Sequence, residues 1–165
     1  MALTHAEAAI SCWIDNPFVV AARPAEVEAA AEWLLAQGDS WARARLSADD
    51  RAGAERTLVA LAHAQAVAAA AAGTPLTAAV LVGKPFAALF AELGLSRAPV
   101  LNVAAAALRA RRALDDMRGV SPFMQRLRAE IWSVSFGASL WHALKLGRVI
   151  HDHDLLIVGE TGTGK

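Results

Sequence analysis

Only one cysteine, Cys12, occurs in the 165 residues, so the chain can form no internal disulfide and no multi-cysteine metal site, and it has no need of an oxidising compartment. An excess of charge is missing too. Sixteen basic and sixteen acidic residues cancel, which removes the field that would draw a strongly basic protein onto nucleic acid or an anionic membrane. Charged residues are scarce at 19% against 56% apolar, and the mean hydropathy of +0.35 excludes intrinsic disorder as the main state. An uninterrupted apolar run is also lacking. Leu58 to Val82 comes closest, but His63, Gln65 and Gly73-Thr74-Pro75 break it, and neither side reaches the roughly twenty residues a bilayer needs. A buried helical hairpin is expected there, with no membrane partner. Met1 to Ile10 has no Lys or Arg ahead of its apolar residues and is broken by His5 and Glu7, so no secretory signal can be drawn and a cytoplasmic location is expected.

What is abundant is alanine, at 40 positions, a side chain that favours helix and adds little core volume. The expected fold class is mainly α. Pro24 at a first turn, the stripe Val27, Ala30, Ala31, Leu34 and Leu35, early acids Glu26, Glu28 and Glu32, and Gly38 after the end predict one amphipathic helix. Ser47 as N-cap, with Asp50 three residues on, predicts a second helix through Leu58 and Leu61 to Gly73. Further helices are expected over Pro85 to Leu93, stopped by Gly94, and over Pro99 to about Met117, stopped by Gly119. Ser121-Pro122 is another start signal. Met124, Leu127, Ile131, Val134, Ala138 and Trp141 follow at three- and four-residue spacing, a stripe that predicts the core-facing side, with Gly137 as a candidate interruption and Gly147 as the end. Arg148 to Asp154 then reads as a polar connector and Leu155-Leu156-Ile157-Val158 as a buried strand. A domain boundary is expected near Gly119, separating 1–118 from 119–165.

The strand leads into Gly159-Glu160-Thr161-Gly162-Thr163-Gly164-Lys165, the glycine, four residues, glycine, lysine core of a phosphate-binding loop. Backbone N–H groups can wrap a phosphate chain only where no Cβ intrudes and positive φ is allowed, which glycines at 159, 162 and 164 provide. Lys165 would add its charge at the β- and γ-phosphates, and a helix following it would direct its N-terminal dipole at the same anion. The hydroxyl that would hold Mg2+ is sought at the next position, beyond the last residue of the sequence.

From Leu155 to Lys165 the sequence resembles the first strand and Walker A segment of the sigma-54-dependent transcriptional activators, a branch of the AAA+ ATPases, whose loop typically carries the Glu-Thr-Gly-Thr interior. Gly119-Val120-Ser121-Pro122-Phe123-Met124 is similar to the opening of the central domain in that family, although the stretch from Phe136 to Asp154 is longer than the family's spacing. The resemblance covers 119–165 and implies a helical regulatory or sensory domain followed by the first helix, first strand and P-loop of a truncated AAA+ α/β domain. It further implies ATP with Mg2+ as cofactor, self-association into a ring, sigma-54 RNA polymerase as partner, and DNA contact through a domain outside these residues. The family's Walker B acids, sigma-contacting loop and arginine finger would lie beyond Lys165. No catalytic residue is therefore named, and no ATP hydrolysis is expected of the 165 residues alone. DEAH-type RNA helicases have a similar loop, with Ser or Thr after the lysine where the activators have Glu; Thr163 and the Ser-Pro-Phe-Met start favour the activators. A non-enzymatic helical sensory or interaction module is the remaining alternative.

Other clusters have plainer readings. His151-Asp152-His153-Asp154 has a composition that zinc accepts, but in an extended run the histidines and aspartates point to opposite faces, so a polar lead into the strand is expected and no metal site. Arg109, Arg111, Arg112, Arg118, Arg126 and Arg128 hold six of the sixteen basic groups; Asp115, Asp116 and Glu130 among them make a solvated helix surface the simpler reading. Trp13, Trp33, Trp41, Trp132 and Trp141 read as core volume ahead of pocket lining. Cys12 reads as a small apolar residue.

Overall fold

A computed structural model describes residues 2–19, 24–76 and 86–146. The strand expected at 155–158, the loop Gly159 to Lys165 and the run His151 to Asp154 lie outside these residues. Within them the chain is mainly helical, with eight helices and no strand: α1 (Leu3–Ser11), α2 (Pro24–Ala36), α3 (Ser40–Ser47), α4 (Arg51–Ala71), α5 (Ala87–Glu92), α6 (Arg97–Asp115), α7 (Pro122–Phe136) and α8 (Leu140–Leu146). None of the described helices is long and apolar enough to cross a membrane.

Helix α4 is the central element. Alanines 54, 60, 62, 64, 66 and 69 with Leu58, Val59 and Leu61 are buried along it, so it is enclosed on several sides, and α1, α2, α3, α6 and α8 pack against it. The small alanine side chains let the neighbouring helices approach closely while α1, α2 and α6 supply the bulk. Helix α1 contributes Ala6 and Ile10, with Trp13 and Ile14 just beyond its end; α2 contributes Val27, Ala30 and Leu34. Trp132, Phe136, Leu140 and Ala143 of α7 and α8 belong to the same hydrophobic cluster, so a single core runs across Gly119. Two buried acids are paired rather than left bare. Glu7 receives Nε and Nη2 of Arg45, and the hydrogen bond to Glu7 is the main reason the arginine's pKa is raised. Glu55 faces Lys145, Arg51 and Trp141 Nε1.

The start signals were read correctly at two helices and misassigned at one. Helix α2 begins at Pro24, and Gly38 follows it at φ +61°. Ser47, expected as an N-cap, is instead the last residue of α3; Asp50 caps α4, its Oδ1 accepting from Gly53 N at 2.9 Å. Ser47 is still within α3, whereas the Asp50 carboxylate lies three residues before the amide it satisfies. At α7 the Ser121 hydroxyl accepts from Met124 N at 3.3 Å, with proline in the first turn. Ser121→Ala is expected to lower the unfolding free energy by about 1 kcal/mol in urea denaturation, and Ser121→Asp to retain most of it.

The buried face of α7 differs from the expected stripe. Trp132 and Phe136 are buried, Met124, Leu127 and Ile131 are half-buried, and Val134 and Phe123 are exposed. Gly137, at φ +68°, follows Phe136 as the C-cap of the helix, and the buried side of α7 is the one that carries Trp132 and Phe136.

Candidate functional site

Two of the places where polar groups converge are assembled around residues 12–18, the segment that follows α1. On one side of it lies a cleft between α1, α2, α4 and α6. One cavity of about 300 Å3 is lined by Cys12, Trp13, Pro17, Glu28, Arg111 and Arg112 among others. An adjoining cavity of about 240 Å3 is lined by Glu32, Leu35, Gln65 and Ala68, and the two share Trp13, Glu28, Val67 and Ala71. The floor comes from the alanine-rich α4: small side chains on a long helix leave a trough wherever the neighbouring helices do not fill it.

Two of the buried polar atoms without a hydrogen-bond partner among the described residues are Oε1 of Gln65, a residue that lines the second cavity, and Nδ1 of His63, which packs against Trp13 and lines neither cavity. His63 is 2% exposed and meets the Trp13 ring edge-on, centroids 6.4 Å apart. Burial is the main reason its pKa falls to about 4, and the nearby Arg111 guanidinium pushes the same way. The imidazole is therefore neutral at pH 7. On the rim, Glu28, Glu32 and Arg112 are exposed, and Arg111 Nε stands 3.8 Å from Asp115.

On its other side the same segment clasps α4, α7 and α8. Both carboxylate oxygens of Asp15 accept from Arg56 Nη2 at 2.8 Å. Asn16 Nδ2 donates to Ala129 O at 2.7 Å and to Ser133 Oγ at 3.0 Å, while its Oδ1 accepts from Phe18 N. Leu140 N donates to Ile14 O at 2.7 Å. Burial raises the Asp15 pKa against the opposing pull of Arg56. Ser139 Oγ lies 3.2 Å from His142 Nδ1, near Asp15, which brings a serine, a histidine and an acid together. The arrangement does not build an activated nucleophile: the hydroxyl also accepts from His142 N at 3.4 Å, a helix-capping role at the start of α8.

Of the residues singled out in the sequence, Cys12 and Trp13 meet at the cleft, and Trp41 and Trp132 are core as expected. Arg128 has a structural role that the solvated-surface reading missed: its guanidinium donates to Leu114 O at 2.9 Å and Gly119 O at 2.7 Å, tying α7 to the end of α6. Arg111 and Arg112 reach the cleft. Among the described residues no group of His, Cys, Asp and Glu could hold a metal ion. The residues expected to bind ATP, Gly159 to Lys165, lie outside the description. Glu28, Gln65, His63 and Asn16 carried no local pattern that would mark them in sequence. Comparison with known proteins finds no matching family, no matching curated protein and no matching solved structure.

Proposed function

We propose that this chain is the N-terminal part of a sigma-54-dependent transcriptional regulator, acting in the cytoplasm. In this reading the helical region 1–118 regulates an AAA+ ATPase domain that opens at Gly119, and the loop Gly159 to Lys165 holds the phosphates of ATP with Mg2+. The observation that carries the reading is the sequence Leu155 to Lys165, four apolar residues running directly into Gly-Glu-Thr-Gly-Thr-Gly-Lys, preceded at 119–124 by Gly-Val-Ser-Pro-Phe-Met. The glycines clear the path for backbone N–H groups and the lysine neutralises the terminal phosphates. Helices α7 and α8 then belong to the ATPase portion and meet the regulatory helices through Ile14 and Asn16. ATP-driven remodelling of sigma-54 RNA polymerase, ring assembly and DNA contact are activities of a longer chain.

Two measurements test this. Reading the parent DNA past the codon for Lys165 should give Glu, with Walker B acids downstream; Ser or Thr followed by a DEAH box would replace the activator with a helicase. In the chain extended through the complete ATPase domain, Lys165→Ala should lower ATP turnover at least about 100-fold, while residues 1–165 alone should show none above background. Robust turnover by the 165 residues would overturn the assignment of the catalytic acids to positions beyond Lys165.

A further inference from the structure

The cleft between α1, α2, α4 and α6 has an asymmetric distribution of charge that the packing of the helices does not require. Toward α2 its walls carry the Glu28 and Glu32 carboxylates. Toward α6 it carries two guanidiniums, Arg111 and Arg112. Arg111 is offset only in part by Asp115 at 3.8 Å, and no ion pair to Arg112 occurs among the described residues. Between the two ends lie Trp13, Val67 and Ala71, an aromatic and aliphatic saddle common to both cavities.

Each feature constrains an occupant. A purely anionic ligand would meet Glu28 and Glu32, and a purely cationic one would meet Arg111 and Arg112, so either pays like-charge repulsion at one end. A wholly apolar ligand would desolvate the rim charges. The adjoining volumes, about 300 and 240 Å3, are at the scale of a small metabolite.

We propose that this cleft binds a small zwitterion of amino-acid type, its ammonium group toward Glu28 and Glu32, its carboxylate toward Arg111 and Arg112, and its carbon body over Trp13. The ammonium can also lie against the indole face, which attracts cations. Arg112, fully on the rim, supplies a planar pair of donors suited to a carboxylate. This site stands independently of the ATPase reading, because every residue in it precedes Gly119.

Calorimetric titration of the 165-residue chain with two zwitterions, L-phenylalanine and 6-aminohexanoate, tests it against the single-charge controls phenethylamine, 3-phenylpropionate, hexylamine and hexanoate. At least one zwitterion should bind one to one, at least about tenfold tighter than both of its matched controls. Arg112→Ala and Glu28→Gln alter exposed side chains and should leave the melting temperature within a degree or two, yet each should weaken that zwitterion at least about tenfold. Absence of binding by both zwitterions, equal binding of a single-charge control, or affinity unchanged in the two variants would each overturn the proposal. Tighter binding of a control than of its zwitterion would do the same.

Discussion

Trp132→Ala is expected to lower the unfolding free energy by about 3–5 kcal/mol, the largest single-residue loss in this fold. The indole is 1% exposed and lies against Phe136 and Phe18, with ring centroids 4.6 and 6.1 Å away. Removing it opens a void the size of an indole in a packed core, and its ring neighbours Phe18 and Phe136 can refill such a space only in part. Trp132 Nε1 is buried with no hydrogen-bond partner among the described residues, so the native indole already bears a cost. Trp132→Phe keeps most of the ring and removes that N–H, and it should therefore lose only about 1 kcal/mol. Urea denaturation of the two variants at neutral pH checks both numbers. A loss below about 1 kcal/mol for the alanine variant would mean that α7 does not bury this side chain.

Mild acid is expected to weaken the fold through His63. Its pKa is about 4 in the folded chain against an ordinary 6.5, so below pH 6.5 the unfolded chain binds the proton and the folded chain does not. Stability is then complete above pH 6.5 and is lost progressively as the pH falls toward 4, by about 3 kcal/mol in all at 1.36 kcal/mol per unit. Below about pH 4 both states are protonated and this source of pH dependence ends. Asp15 slopes the other way: its raised carboxyl pKa lets the folded chain hold a proton more readily just above the ordinary carboxylate range. The measurement is accordingly a comparison, the unfolding free energy of the native chain and of His63→Leu between pH 4 and pH 7. The native curve should fall by about 3 kcal/mol more than that of the variant, and parallel curves would show that His63 is not held neutral by burial.

The helices legible in the sequence are those announced by local chemistry. Pro24, the Ser121-Pro122 pair and Gly38 act within one turn of themselves, and each lies where it was expected. Helix α1 carries no such mark: its N-cap is Ala2 without a side-chain hydrogen bond, and it is held by Ala6 and Ile10 packing on its neighbours. The same holds for α3, whose presence turned Ser47 from a helix start into a helix end. The face of α7 was misread because an apolar stripe records what a helix can bury and not what is available to cover it. Val134 belongs to that stripe and is exposed, while Trp132, outside it, is covered by Phe18 and Phe136. The cleft was less legible still. Glu28 and Arg112 come from helices far apart in the chain, and Asn16 reaches Ala129 across 113 residues, so nothing in a local window joins them. The proposed phosphate loop is the reverse case, a motif written in seven consecutive residues.

Between Cys12 and Pro17 the chain alternates its allegiances. Cys12, Trp13 and Pro17 face the cleft, whereas Ile14, Asp15 and Asn16 hold Leu140, Arg56, Ala129 and Ser133. Six consecutive residues thus serve two surfaces: the backbone that presents Trp13 to the cleft also accepts, one residue on, the hydrogen bond from Leu140 N at the start of α8. Helix α8, held in this way through Ile14, is the last described element before the segment of sequence that carries the proposed phosphate-binding loop.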